Sequence, residues 1–169
     1  MVRSFFASVI ILLSFALFES AVLSNVTFLP AVPDFLLICT IYFASNNGKL
    51  YGVTNGFVSG LMLDFLTAAP MGLHCIVRTI IGYVCGLFNR TLNMNGIFIP
   101  AVVGALATLA KAFTIWVLSA AFPISVNHYS LLSTSFLFEI SANAVLTPII
   151  FKFLGIFRAT LLIDTEKAS

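Results

Sequence analysis

The sequence predicts an all-α integral membrane protein, a single domain built as a bundle of about six short transmembrane helices. Three observations carry this. Hydrophobic residues make up 60% of the 169-residue chain and charged residues 8%, against roughly 45–50% and about 25% in soluble proteins. The apolar residues come in successive runs, several near the roughly 20 residues that a membrane crossing requires. The connections between runs are too short to hold a soluble domain. Lipid is the natural solvent for such a surface.

The first run, 4–24, follows Arg3 and ends near the small residues Ser20 and Ala21. Signal peptides share this pattern, but the rest of the chain is equally apolar, so the run is read as an uncleaved span. The second run, 26–44, contains Pro30 and Pro33. Proline interrupts a helix interior, so the helix proper is expected to open at Asp34 and cover 34–45. Extended chain ahead of it, if at membrane depth, must be shielded by protein. Asn46-Asn47-Gly48 signals a turn into the third span, 50–66. Pro70 and Gly72 mark the next turn, and the fourth span covers 71–88. The fifth covers 97–122 and the sixth 129–154, where Pro148 predicts a kink.

Cations orient the bundle. With the N-terminus inside, Arg3, Lys49, Arg90, Lys152, Arg158 and Lys167 all fall on or near the cytoplasmic side. The remaining two, Arg78 and Lys111, lie within spans. This satisfies the positive-inside rule and predicts an even number of spans with both termini cytoplasmic.

Several functions are excluded by what is missing. A net charge of +2, scattered along the chain, is no nucleic-acid footprint. Cys39, Cys75 and Cys85 sit singly in apolar runs, without metal-binding or disulfide spacing. Asn25 and Asn89 match the glycosylation pattern, yet each reads as a polar residue at a helix end. His74 and His128 belong to no catalytic constellation. No enzyme activity, metal or cofactor is expected.

Gly52, Gly56 and Gly60 repeat every four residues, and Asp64 continues the series. This spacing lines one helix face, where glycine admits close approach of a second backbone. Arg78, Gly82 and Gly86 repeat the spacing on the fourth span. The two seams predict a closely packed antiparallel hairpin.

Six ionisable residues fall within or at the outer ends of spans: Glu19, Asp34, Asp64, Arg78, Lys111 and Glu139. A lone charge at mid-bilayer costs about 2.5–3.5 kcal/mol, so partners are expected. At about 1.5 Å per residue, Lys111 and Glu139 lie at similar depths of roughly 16 and 15 Å on consecutive spans, which predicts that they pair. Arg78, roughly 10 Å deep by the same rise, is expected to snorkel outward to Asp64. Ser135, Glu139, Asn143 and Thr147 form a polar stripe facing the bundle interior or a partner. Asp34, just after Pro33, fits a helix N-terminus.

Residues 33–86 resemble the MreD family. Its pattern reads approximately PD, a glycine-seamed helix ending GLxxDxL, then PxGL and GYxxG. The counterparts are Pro33-Asp34, the Gly52/Gly56/Gly60 seam with Gly60-Leu61 and Asp64, Pro70 with Gly72-Leu73, and Gly82-Tyr83 with Gly86. The resemblance implies a non-catalytic inner-membrane subunit of the bacterial cell-elongation (rod) complex. Its partners would be MreC, MreB filaments, RodA and a class B transpeptidase in lateral peptidoglycan synthesis. The resemblance also implies a fold like the substrate-binding S components of energy-coupling factor vitamin transporters, so an S component is the alternative function. An S component is expected to open a polar cavity to the outside near Lys111 and Glu139, and a scaffold to fill that volume with side chains.

Overall fold

The computed structural model describes residues 2–21, 30–67, 70–89, 91, 94, 96–121 and 133–162. All regular structure among them is helical: α1 (Val2–Ala21), α2 (Phe35–Asn47), α3 (Lys49–Leu66), α4 (Leu73–Leu87), α5 (Phe98–Ala121), α6 (Thr134–Ile156) and α7 (Arg158–Leu161). These helices overlap the six expected segments, of which residues 22–24, 122 and 129–132 lie outside the described residues. The four-residue α7 is an addition, short enough to carry no hydropathy signal of its own. His128, Asn25, Arg90 and Lys167 fall outside the described residues.

An apolar core also holds many polar residues, while the outer surface is apolar. Buried positions include Ser8, Thr40, Asn55, Ser59, Thr108 and Asn143, while Phe6, Ile10, Ile97, Phe98, Phe113 and Ile156 face outward. Such a surface is stable only against lipid. Among the described residues, three helices are long and apolar enough to cross a membrane: α1 over Arg3–Ala21, α5 over Phe98–Ala120 and α6 over Thr134–Ile156.

The centre of the bundle is α2. Ten successive residues, Leu36 to Ser45, are buried, so this helix is enclosed on every side. It packs against α1, α3, α4, α5 and α6. Its 13 residues span only about 20 Å, against roughly 30 Å for the hydrocarbon core. Its first turn therefore opens inside the bundle, and the chain at Pro33 and Asp34 is buried with it.

One residue, Gly48, separates α2 from α3. Its φ of +89° lies in the region that side-chain-bearing residues avoid, and its N–H closes α2 on Ala44 O at 3.0 Å. Then α3 and α4 make the tightest pairing in the molecule. A Cβ added at Gly52 would fall on the Gly82 carbonyl; at Gly56, on Arg78 O; at Gly60, on the backbone of His74 and Cys75. Rising numbers on α3 meet falling numbers on α4, so the hairpin is antiparallel and its backbones touch along its length. Gly86 completes the seam against Lys49.

The second hairpin, α5–α6, crosses at Gly104, where a Cβ would strike the Thr147 side chain. Ser133 caps α6 by accepting from Phe136 N at 3.2 Å, and Pro148 lies inside the helix. Beyond α6, α7 folds back onto α1, and Leu161 O accepts from Asn47 Nδ2 at 3.1 Å. Cys39, Cys75 and Cys85 are free thiols.

Candidate functional site: a buried charge network

The short α2 delivers Asp34 to the point where α4, α5 and α6 converge. As N-cap, Asp34 accepts from Leu37 N through Oδ1 at 2.8 Å. The same oxygen lies 2.5 Å from Arg78 Nη2, and Oδ2 lies 2.9 Å from Lys111 Nζ. Lys111 Nζ is also 2.5 Å from Glu139 Oε1. Two acids and two cations from four elements thus form one chain of contacts, Arg78–Asp34–Lys111–Glu139. All four are buried. The formal charges cancel, as burial in a medium without water demands.

A neutral polar layer completes it. Asn143 Oδ1 accepts from Asp34 N at 2.9 Å, and its Nδ2 donates to Thr108 Oγ1 at 3.0 Å. Thr108 in turn donates to Gly104 O at 2.9 Å. Thr147 donates to Asn143 O at 2.5 Å. Glu19 stands at the edge, where Oε2 accepts weakly from Leu36 N at 3.4 Å. Elsewhere in the interior, Thr40 meets Ser59 at 2.8 Å, and Ser8 donates to Asn55 Oδ1 at 2.7 Å. Arg78 Nε and Nη1 are buried without a hydrogen-bond partner among the described residues.

The expected Lys111–Glu139 contact is present, but it is one arm of a larger network whose hub is Asp34. Asp34 is therefore more than a helix cap. The expected Arg78–Asp64 pair does not form. Asp64 ends α3 directly opposite the start of α4 and accepts from Gly72 N, His74 N and Cys75 N at 2.9, 3.0 and 3.3 Å. Those otherwise unpaired first-turn donors use up the carboxylate. Arg78, more than one turn further along α4, turns inward to Asp34. Of the polar stripe on α6, Glu139, Asn143 and Thr147 are buried, while Ser135 is exposed.

Thr108, Gly104 and Asn55 carry no weight in the sequence reading. Each is a polar or small residue within an apolar helix, which is the one available signal. Among the described residues no group of three His, Cys, Asp or Glu is placed to hold a metal ion. The cation between Asp34 and Glu139 is the Lys111 ammonium. The charges are matched to each other, although two Arg78 nitrogens have no partner among the described residues, and what the arrangement does is tie the N-terminal end of α2 to α4, α5 and α6.

A family model described as "rod shape-determining protein MreD" matches residues 2–157. No curated protein and no solved structure matches the chain.

Proposed function

The chain belongs to the MreD family and is a rod shape-determining membrane protein, and on that premise we propose that it serves as a non-catalytic inner-membrane subunit of the cell-elongation complex. In this role it supports lateral peptidoglycan synthesis, with MreC as its direct partner and with MreB, RodA and a class B transpeptidase in the same assembly. The observation that carries the reading is the family match over nearly the whole chain. The filled centre adds to it. Around Lys111 and Glu139 the volume is taken by Asp34, Arg78, Thr108, Asn143 and Thr147, all buried. An S component would keep that volume open for a vitamin.

The proposal has both termini in the cytoplasm, and the distribution of cations supports it. Phe5 meets Tyr51 and Ser8 meets Asn55 toward the start of α3, and Asn47 meets Leu161, so Lys49, Arg158 and the Arg3 end of α1 gather at one end of the bundle. Positive charge concentrates on the cytoplasmic face of such proteins.

Depletion in a rod-shaped host tests the reading. Rounded cells are expected, and purification in mild detergent is expected to recover MreC. Normal rods with loss of uptake of one vitamin would transfer the assignment to the S component.

A further inference from the structure

We propose that a cavity at the Lys152–Arg158 end of the bundle binds the phosphate headgroup of an anionic membrane lipid. The cavity has a volume of about 470 Å³ and lies among α2, α6, α7 and the residues just before α5. Its polar wall holds Tyr42, Lys152 and Arg158, and its apolar wall includes Met94, Ile97 and Phe151.

Three features converge there. First, Lys152 and Arg158 have no ion pair among the described residues. The described acids Glu19, Asp34, Asp64 and Glu139 are spent at the opposite half of the molecule. Two cations facing one cavity with no counter-ion among the described residues repel each other, and an anion relieves this. Second, Tyr42 is 96% buried, since only 4% of it is exposed. Its ring stands edge-on to Phe151 at 5.2 Å, yet its hydroxyl makes no hydrogen bond within the described residues. The ring is buried while the hydroxyl lies at the cavity wall, and a phosphate oxygen there would accept its hydrogen bond. Third, the cavity wall is more apolar than polar and lies beside Ile97 and Phe98, which are 78% and 80% exposed. That combination suits an amphipathic occupant, with the headgroup on the cations and an acyl chain along the lipid-facing Ile97 and Phe98. Basic pockets between membrane helices hold anionic headgroups in this way. A free anion would use the cations but leave the apolar wall empty. The proposal does not depend on the elongation-complex reading.

The test uses the full chain in mild detergent, titrated with phosphatidylglycerol or phosphatidylcholine and read by native mass spectrometry. Each basic residue near a membrane surface contributes roughly fivefold in affinity, so phosphatidylglycerol is expected to bind about thirtyfold more tightly than phosphatidylcholine. The Lys152→Gln/Arg158→Gln double variant is expected to lose that preference. Tyr42→Phe, which keeps the ring and its packing, is expected to weaken phosphatidylglycerol several-fold. Arg3→Gln, at the same end but outside the cavity, is expected to leave it unchanged. Inorganic phosphate in millimolar excess is expected not to displace the lipid. Equal binding of the two lipids overturns the proposal, as does undiminished phosphatidylglycerol binding by the double variant. Inorganic phosphate that binds through Lys152 and Arg158 and excludes the lipid would make the site one for a soluble anion and overturn the lipid assignment. If the double variant does not fold, Tyr42→Phe and Lys152→Gln decide: both unchanged from wild type refutes the site.

Discussion

Replacing Asp34 with Asn removes the hub charge while keeping its shape. Asn can still cap α2 by accepting from Leu37 N, as Asp34 does at 2.8 Å, so cap loss contributes little. The electrostatic loss is large. Arg78 loses its ion pair at 2.5 Å, with Nε and Nη1 already unpartnered, and Lys111 loses one of two carboxylates. Stranding a buried charge by deleting its partner costs about 3–5 kcal/mol. That lowers the folded-to-unfolded ratio by a factor of roughly a hundred to a few thousand. The assay is steady-state abundance in membranes, with SDS-induced loss of helical circular dichroism on the purified protein. Asp34→Asn is expected to be strongly depleted and to unfold at much lower SDS. Asp34→Asn combined with Arg78→Met leaves a neutral pair beside an intact Lys111–Glu139 contact, and is expected to recover at least half of the loss. Asp34→Asn with wild-type stability would refute the hub role. A double variant no better than the single would show that Arg78 and Asp34 are not energetically coupled.

The remaining predictions follow from the same geometry. Lys111→Met is expected to be more harmful than Glu139→Gln, because Glu139 then has no cation, whereas Lys111 without Glu139 keeps Asp34 at 2.9 Å. Combining the two changes is expected to raise abundance above that of Lys111→Met; an equal or lower level would sink the pairing. Gly52→Ala places a Cβ on the Gly82 carbonyl, while Gly96→Ala meets nothing within 4 Å. The first is expected to lose folded protein and the second to accumulate normally, and equal abundance would place the α3–α4 backbones further apart. Asp64→Ala strips three first-turn N–H groups of α4 of their acceptor and is expected to cost about 1–2 kcal/mol. An unchanged SDS midpoint would argue that these donors find another acceptor.

Helix positions were legible in the sequence because membrane helices are set by length and hydropathy. Pro30 and Pro33 announced the late start of α2, and Gly48 the turn into α3. The antiparallel α3–α4 contact was legible for a similar reason. A four-residue glycine repeat has one physical use in a lipid-facing helix, and two such repeats joined by a short turn can meet in one way. The Lys111–Glu139 contact followed from depth alone, since consecutive helices are neighbours.

What the sequence could not disclose was the choice among partners at similar depth. Asp64 and Asp34 are both acids within reach of α4 by a depth argument. Depth is one coordinate, and Arg78 selects between them by azimuth around the helix. The tertiary structure decided this, because Asp64 lies against the backbone donors at the start of α4, whereas Asp34 lies on the side to which Arg78 turns. The same holds for Asn143 and Thr108, 35 residues apart in sequence and joined at 3.0 Å. It holds also for the basic cavity, whose walls come from α2, α6, α7 and the residues just before α5. Hydropathy and spacing act along one helix at a time, so the sequence by itself determined the elements, their order and the tightest seam. Rotation of each helix about its axis depends on packing against all its neighbours at once, so only the assembled bundle settled which buried charges meet.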